Sequence, residues 1–403
     1  MSRSRVLLLG IETQIGLTII RELGRHGVEV HGVAQSAHAL GAYSGFLARA
    51  HQRARSEAEL IRQLRELTTQ LAPCHVMAIS ENDINLLNRS REALPGVKIL
   101  VPASERMEAV LDKVTTQRIA ESVRIPVPRS VEITSIPDLE AAIVGMNFPL
   151  IVKWKNPPRV QAQLARAGLQ LDKVRYFGST AELRAYMQQF ERIGEFPMIQ
   201  EYCPGYGLGQ FIFMHHGKAI LRFQHRRIHE YPPEGGFSTL AEGLDETQHS
   251  ALMSQSIALL ERLDWEGPAM VEYRYDPVRD VARLMEVNGR FWGSLPLAHH
   301  SGAEFAWLTY AILGEGLEDE RCTPRAGVRC RAMVTETKRL LRILFAAHRI
   351  QDPSLRFSKI SEFAAYFCEF LNPSTRYYVF SMSDWKPFFA DVFFALTARL
   401  RPR

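Results

Sequence analysis

Apolar and polar residues are grouped in regular blocks through the first hundred residues of the chain. Short, mainly apolar runs are separated by turns and by longer stretches with helical spacing. The runs predict strands at residues 6–9, 28–33, 75–79 and 98–101, and the stretches predict helices at residues 17–25, 56–71 and 84–94. Because mainly apolar strands must be covered on both faces, this alternation predicts an open, parallel, doubly wound α/β sheet.

The middle of the chain mixes helical spacing with longer strand patterns. Residues 156–173 are polar and irregular, and residues 232–239 are rich in glycine, so both segments are predicted to be loops. The pattern predicts helices at residues 104–121, 138–144, 180–193 and 248–263, and strands at residues 148–153, 198–202, 210–215 and 218–225.

Residues 271–290 have the pattern of a β-hairpin with its turn at residues 277–280. If the strands pair about that turn, Glu272 lies opposite Glu286, and Asn288 and Arg290 follow on the same face. Two opposed carboxylates repel each other, and a cation between them removes that cost. Two carboxylates and an amide oxygen suit Mg²⁺ or Mn²⁺, and Arg290 would reach an anion held by the metal. The alternative is a solvated hairpin face with ordinary surface charges.

Composition excludes several classes of protein. The 403 residues are 46% hydrophobic and 23% charged, as in a globular protein of two or three domains. A formal charge of +5 is too small to indicate nucleic-acid binding, so none is expected. The five cysteines form no C-x-x-C pair, which argues against zinc or disulfides and predicts a cytoplasmic location. No run of 18 apolar residues occurs, so no spanning helix is expected.

Several motifs occur in an order that resembles the ATP-grasp superfamily of carboxylate–amine ligases, most closely its carbamoyl-phosphate-synthase-like branch. The similarity covers roughly residues 5–320, and ordered motifs are more specific than any single one. It implies a pre-ATP-grasp α/β domain at residues 1–103, a two-lobed α+β ATP-grasp domain at residues 104–320 and a helical C-terminal extension at residues 321–403. The motifs are D-K at Asp112-Lys113, the strand lysine Lys153, Q-E-Y-C at Gln200 to Cys203 with P-G-Y-G-L-G after it, Glu272, and E-V-N-G-R at Glu286 to Arg290.

The resemblance assigns a role to each of these residues. Cations offset the charge that develops on a transferring phosphoryl group, and glycines let a loop approach a triphosphate closely. The implied roles are ATP binding by Lys113, Lys153, Gln200, Glu201, Tyr202, Cys203, Gly235 and Gly236, metal binding by Glu272, Glu286 and Asn288, and catalysis by Lys153 and Arg290.

The implied activity is ATP-dependent ligation. ATP phosphorylates a carboxylate, and an amine then attacks the acyl phosphate to give an amide, ADP and phosphate. ATP and Mg²⁺ or Mn²⁺ are the expected cofactors. A small-molecule carboxylate and an amine are the expected partners, and the sequence does not identify either. Two alternatives stay open: a carboxylate kinase that stops at the acyl phosphate, and a regulatory or scaffold protein that binds ATP without turnover.

Several charged residues have competing interpretations. Lys113 and Lys173 are either phosphate ligands or solvated lysines, whereas Lys153 ends an apolar strand, where an unpaired charge is costly. The basic cluster at residues 222–227 either holds a substrate carboxylate or forms a solvated face. Residues 80–83 either contact a ligand at the end of a strand or only cap the next helix.

The end of the extension has an aromatic stripe. Trp385, Phe388, Phe389, Val392 and Phe393 recur at helical spacing. Such a stripe either contacts a membrane surface peripherally, packs on its own domain, or joins two copies in a homodimer. The flanking cations are Lys386, Arg399, Arg401 and Arg403.

Overall fold

The computed structural model describes residues 4–155, 157–172, 174–350, 352 and 355–397, without the side chains of residues 157–159. Lys173, Arg399, Arg401 and Arg403 therefore lie outside the described residues, and the predictions made for them remain predictions.

The N-terminal domain contains a parallel sheet in the order β3-β2-β1-β4-β5. Alternate residues of β1 face two different cores, one with α1 and one with α2 and α3, which confirms the predicted doubly wound sheet. The edge strand β3 was not predicted, because its mainly exposed residues contain no apolar run. The elements are β1 (Arg5–Leu9), α1 (Gln14–Arg25), β2 (Val30–Ala34), β3 (Leu47–Gln52), α2 (Glu57–Gln70), β4 (Cys74–Ala78), α3 (Glu81–Arg89) and β5 (Lys98–Ile99).

Two helices lead into a small lobe that has an antiparallel sheet in the order β6-β9-β7-β8 and a core of its own. The predicted helix over residues 104–121 is broken at Asp112, whose carboxylate accepts the N–H of Val114 at 3.0 Å and so begins a second helix. The predicted loop at residues 156–173 was wrong, since it contains α7. The elements are α4 (Ser104–Leu111), α5 (Lys113–Ser122), β6 (Ser130–Val131), α6 (Leu139–Ala142), β7 (Leu150–Lys153), α7 (Pro157–Arg166), β8 (Arg175–Phe177), α8 (Thr180–Gln188) and β9 (Met198–Glu201).

The rest of the chain builds a large sheet in the order β14-β13-β10-β11-β12-β15-β16. The extension was predicted to be helical, and it also supplies the last two strands, which at three residues each are too short to give a period. The elements are β10 (Tyr206–His215), β11 (Lys218–Tyr231), β12 (Phe237–Gly243), α9 (Ser250–Arg262), β13 (Gly267–Asp276), β14 (Val281–Asn288), α10 (Leu295–His300), α11 (Phe305–Leu308), β15 (Arg329–Arg331), α12 (Met333–Phe345), α13 (Lys359–Cys368), β16 (Thr375–Tyr377) and α14 (Lys386–Thr397).

A buried ion pair attaches the extension to the N-terminal domain. Arg21 Nε lies 2.9 Å from Asp384 Oδ2, and the two side chains are 4% and 3% exposed. The same carboxylate accepts hydrogen bonds from Ser44 Oγ at 2.7 Å and from the Gly45 N–H at 2.9 Å. Arg21 also donates to the carbonyl of Val379 at 2.8 Å. Because every charged group in this contact has a partner, it fixes the extension beside α1.

The aromatic stripe of α14 is divided between two sides of the helix. Phe388 packs on the core beneath, whereas Trp385, Phe389 and Phe393 are 51%, 59% and 59% exposed. The interpretation that the stripe packs on its own domain is therefore correct for only part of it. None of the helices in the described part of the chain combines the length and the apolar character needed to cross a bilayer.

Candidate functional site

The predicted hairpin is present, and Glu272 is paired with Glu286 across it. The turn at residues 277–280 alone would place Glu272 opposite Met285. A β-bulge at Met285 adds one residue to β14 and moves Glu286 into the opposing position. The turn is held by Asp276, whose carboxylate accepts the N–H of Val278 at 3.0 Å.

The two opposed carboxylates form an all-oxygen donor set with Asn288. The Asn288 amide nitrogen donates to Glu286 Oε1 at 2.9 Å, so the amide side chain lies beside the Glu286 carboxylate. Arg227 Nη2 lies 2.8 Å from Glu272 Oε2. Burial raises the pKa of Glu272, and Glu286 raises it further, while Arg227 acts in the opposite direction. A pair of carboxylates held together against such a cost fits a hard divalent cation.

Two lysines approach this hairpin from other elements. Lys153 ends β7, and burial together with the charge of Lys113 lowers the pKa of Lys153 to about 8, while Glu286 acts in the opposite direction. Lys113 begins α5 and lines a small cavity of about 70 Å³ with Glu286 and Asn288. Within the described residues the Lys153 ammonium has no ion pair or hydrogen bond. The arrangement therefore provides two cations, one of them poorly solvated, beside the carboxylates.

Arg290 connects the hairpin with the N-terminal domain. Its Nε lies 3.0 Å from Glu81 Oε1, the first residue of α3. Glu81 follows β4, and the strand order reverses between β1 and β4, which is where open α/β sheets bind ligands. Ser80 caps α3 by accepting the Asp83 N–H at 3.1 Å, so residues 80–83 both cap the helix and reach the site.

A cavity of about 320 Å³ joins the hairpin groups to Arg227 and Arg290. Its wall contains both hairpin carboxylates, the Asn288 amide and two arginines, so it is polar and carries charge of both signs. The cavity is lined by Gln14, Arg227, Gly236, Phe237, Ser238, Met270, Glu272, Glu286, Asn288, Arg290, Trp292, Gly293 and Ser294.

The predicted adenine-binding segment lies in β9 and just after it, next to the strand of Lys153. Gln200 is buried, and its amide nitrogen donates to Ser130 Oγ at 2.7 Å, so its side chain is engaged within the lobe. The Glu201 N–H donates to the Arg129 carbonyl at 3.0 Å. Tyr202 Oη donates to Asp352 at 2.8 Å, and Cys203 is buried, which raises the pKa of its thiol. Adenine binding by these four residues stays a prediction.

The loop between β11 and β12 contains two glycines at positions where a side chain would be strained or would clash. Gly235 has a φ of +125°, and a Cβ on Gly236 would overlap the carbonyl oxygen of Tyr231. The Gly236 carbonyl accepts from Arg227 Nη1 at 3.3 Å. The small lobe reaches the loop through Tyr176, whose hydroxyl donates to the Glu234 carbonyl at 2.6 Å. The loop therefore lies at the cavity wall, and its contact with a triphosphate stays a prediction.

The basic cluster at residues 222–227 does not act as one unit. Strand alternation leaves Arg222 and Arg226 exposed, and Arg226 pairs with Glu242 at 2.7 Å. Arg227 points the other way into the cavity and binds Glu272 and Glu230. Burial lowers its pKa, but these two carboxylates more than offset that effect and the pKa is raised.

Comparisons with known proteins were made by sequence and by structure. No protein-family model and no curated protein matches the sequence. Solved structures do match. N5-carboxyaminoimidazole synthetase from Staphylococcus aureus in complex with ADP has a TM-score of 0.62 and 14% identity, over 86% of this chain and 87% of that chain. L-amino acid ligase from Bacillus licheniformis has a TM-score of 0.57 and 18% identity, over 78% and 75%.

A third match is pyruvate carboxylase from Rhizobium etli, with a TM-score of 0.60 and 16% identity. It covers 78% of this chain, and this chain spans 30% of the carboxylase chain. These likenesses concern the arrangement of the backbone. The chain has the ATP-grasp fold. The predicted fold class, an open α/β domain followed by the two lobes of an ATP-grasp domain and a C-terminal extension, is confirmed.

Three groups that line the cavity beside the hairpin were not predicted individually from the sequence. Arg227 was one member of a cluster, and only its position on β11 separates it from Arg226. Gln14 begins α1 and donates to the Gly293 carbonyl at 3.1 Å. Trp292 lies two residues after Arg290, and its indole N–H is buried without an acceptor among the described residues. Of these three groups, only the orientation of Arg227 could have been predicted, because successive side chains of a strand alternate between its two faces.

Proposed function

We propose that this protein is an ATP-dependent ligase that joins a small-molecule carboxylate to an amine through an acyl phosphate. The observation that carries the proposal is the opposed pair Glu272 and Glu286 with Asn288, in one cavity with Arg290 and beside Lys153. The similar solved structures include an ADP complex of a synthetase and an amino acid ligase, which supports this class of reaction.

The chain's own residues would act in two steps. A carboxylate oxygen attacks the γ-phosphorus, the bond from that phosphorus to the bridging oxygen breaks, and ADP leaves. The amine nitrogen then attacks the acyl carbon, phosphate leaves with its oxygen, and the nitrogen loses a proton. Lys153 and Lys113 would hold the phosphates, and Arg290 would stabilise charge on the phosphoryl group and the acyl phosphate.

Glu272, Glu286 and Asn288 would hold Mg²⁺ or Mn²⁺. When bound, the metal neutralises charge on the phosphate oxygens. Arg227 would keep Glu272 ionised and oriented, because its own contacts to Glu272 and Glu230 fix its position. A cytoplasmic location and the domain boundaries at residues 103 and 320 are further parts of this proposal.

Product analysis tests the reaction. With a carboxylate and hydroxylamine in place of the amine, we expect ADP, phosphate and a hydroxamate. Acyl phosphate without transfer to any amine would indicate a carboxylate kinase, and nucleotide binding without turnover would indicate a regulatory scaffold. AMP and pyrophosphate would contradict attack at the γ-phosphorus.

The Arg290→Ala variant tests the role of that residue. We expect kcat to fall about 100-fold or more while the Kd for Mg-ATP changes little, because the partner of Arg290 is charge that develops during the reaction. Arg279→Ala, on the turn of the same hairpin, is the matched control. A weaker Kd with an unchanged kcat would assign Arg290 to nucleotide binding instead.

A further inference from the structure

A second cavity, of about 350 Å³, adjoins the cavity lined by Glu272 and Glu286, which we call the metal-site cavity. It lies between the start of α1, the start of α12, the residues that follow β16, and α14. Gln14, Phe237, Ser238, Arg290 and Gly293 line both cavities, so the two are continuous at that wall. The extension supplies most of the remaining wall, and its position is fixed by the buried pair described above.

The wall of the second cavity is mainly apolar away from the shared residues. Ile15, Val334, Val379, Phe380 and Phe388 line it from four separate segments of the chain. A pocket of this size that is apolar with a few polar groups is typical of small-molecule sites, which span about 300–1,000 Å³. A small molecule that fits this cavity would have an apolar body, with polar groups only where the cavity wall is polar.

Charge is placed unevenly along the second cavity. Arg290 lies at the wall shared with the metal site, whereas Asp391 of α14 lines only the second cavity. Burial raises the pKa of Asp391, which Lys338 partly counteracts. A ligand that spans both cavities therefore meets a cation at the metal-site wall and a carboxylate elsewhere.

We propose that the second cavity binds the apolar body of a monocarboxylic acid whose carboxylate lies beside Arg290, and that Asp391 rejects acids with a second carboxylate. This inference rests on the proposed function and names its acid substrate class. The acid would enter with its reactive group toward Glu286 and its apolar body against the extension.

Hydrogen-bond donors on both sides of the shared wall favour an anion near it. The first residues of α1 and α12 line the second cavity, and Ala332, the residue before α12, has no polar side chain to cap the free N–H groups of that helix. The Trp292 indole N–H is buried at the metal-site wall without an acceptor among the described residues. The buried hydroxyls of Ser238 and Tyr378 interact with each other, and neither has another partner among the described residues. The indole N–H and the one hydroxyl hydrogen that the Ser238–Tyr378 pair leaves free are suited to the two oxygens of a carboxylate.

Asp391 gives the selectivity its physical basis. A second carboxylate on the ligand would meet this side chain in a poorly solvated space, where like charges repel more strongly than in water. An apolar group at the same place has no such cost. Rejection of this kind adds to specificity without any new contact to the preferred acid.

The test uses the full chain and two acids, 3-phenylpropanoate and adipate. Hydroxamate formation with ATP, Mg²⁺ and hydroxylamine gives kcat and KM, and calorimetry gives the Kd of each acid with and without Mg-ADP. We expect the parent protein to favour 3-phenylpropanoate over adipate by at least about tenfold in kcat/KM.

Two variants separate the apolar body from the charge. Val334→Phe fills the cavity and should raise KM and Kd for 3-phenylpropanoate at least about tenfold, with the Kd of Mg-ADP unchanged. Leu341→Phe, on the same helix but outside the cavity wall, should change neither and controls for the added ring. Asp391→Asn should improve kcat/KM for adipate about tenfold relative to kcat/KM for 3-phenylpropanoate.

The possible results distinguish this inference from the proposed function. Turnover that prefers adipate, or Val334→Phe acting no more strongly than Leu341→Phe, would overturn the acid pocket and leave the ligase intact. The protein could instead bind 3-phenylpropanoate, more weakly after Val334→Phe, without binding Mg-ATP and without turnover. That result would support the acid pocket and overturn the proposed ligase activity. If neither acid binds to the free protein or to its Mg-ADP complex, although Mg-ADP itself binds normally, the acid pocket is wrong. The proposed ligase activity is not affected by that result.

Discussion

The hairpin side of the candidate site takes its functional groups from one short stretch of chain, whereas the extension side takes its groups from four distant segments. Glu272 and Glu286 are placed by one turn and one bulge. Val334, Val379 and Asp391 are placed by the packing of a whole extension on another domain. Groups of the first kind need only local pairing, and groups of the second kind need the tertiary fold.

The two sides also differ in what stabilises them. On the hairpin side, like charges are held together and partly neutralised by Arg227, so the unliganded site carries a cost that a cation would relieve. On the extension side, apolar packing and the fully paired Arg21 and Asp384 stabilise the wall without a ligand. We therefore expect substitutions on the hairpin side to affect binding and substitutions under the extension to affect stability.

The largest effect is expected for Asp384→Ala. It leaves Arg21 buried without its partner, which typically costs about 3–5 kcal/mol. We expect that loss in the free energy of unfolding, measured by urea denaturation, together with loss of 3-phenylpropanoate binding. Mg-ADP binding at low temperature should survive, because no hairpin group touches this pair.

Asp319→Ala is the control, since Asp319 is exposed and its removal should change the free energy of unfolding by less than about 0.5 kcal/mol. Equal stability of the two variants would mean that the extension does not depend on the buried pair. Loss of Mg-ADP binding in the still-folded Asp384 variant would mean that the two sides are not independent.

Glu286→Gln should have the next largest effect. The amide keeps the shape of the side chain but removes a charged metal ligand, so we expect the affinity for Mg-nucleotide to fall about 100-fold, or about 2.7 kcal/mol, with the fold intact. Nucleotide titration with and without Mg²⁺ measures the change, and Glu261→Gln on the exposed face of α9 is the control. Parent-like affinity in Glu286→Gln would remove the metal assignment.

The same contrast explains how far the sequence could be interpreted. The hairpin could be predicted from its turn and its strand pattern. The predicted pairing of Glu272 with Glu286 is correct, but it depends on the bulge at Met285, which was not foreseen. The parallel sheet could be predicted because the strands at its centre are mainly apolar. Strand β3 and the break at Asp112 could not, since one is an exposed edge and the other depends on a cap inside a continuous helical pattern.

The second cavity could not be predicted in any form. Ile15, Val334 and Phe388 are ordinary apolar residues in their own segments, and no periodicity relates positions more than three hundred apart. The role of Asp391 is equally hidden, because a lone carboxylate in an aromatic helix has no local signature. Among the residues that line both cavities, Arg290 belongs to a motif of the resemblance to ATP-grasp ligases.

A smaller effect concerns pH and Lys153. Its pKa in the folded protein is about 8, below the usual 10.5, so burial of its charged form costs stability below pH 8, and that cost disappears as the pH rises toward 10.5. Nucleotide binding has the opposite trend if it needs the charged form. We expect the Kd of Mg-ADP to rise about tenfold from pH 7 to pH 9.

Lys153→Arg supplies the control, because a guanidinium stays charged over this range and the Kd should then be flat. Isothermal titration at pH 7, 8 and 9 measures both proteins. A parent Kd that does not change with pH would mean that Lys153 does not bind the phosphates in its charged form. Such a result would leave Lys113 as the cation on this side of the site.

The smallest effect is expected on the outer face of α14, which contributes nothing to either side of the site. The double variant Phe389→Ser with Phe393→Ser should leave the free energy of unfolding within about 0.5 kcal/mol and Mg-ADP binding unchanged, because both rings are mainly exposed. If the face contacts a membrane or a second copy, the variant should lose binding to anionic liposomes or shift to a lower oligomeric mass. Phe388→Ser, on the packed face, should lower stability instead, since that ring contacts the core. A parent protein that is monomeric and does not bind liposomes would show that the exposed rings have neither role.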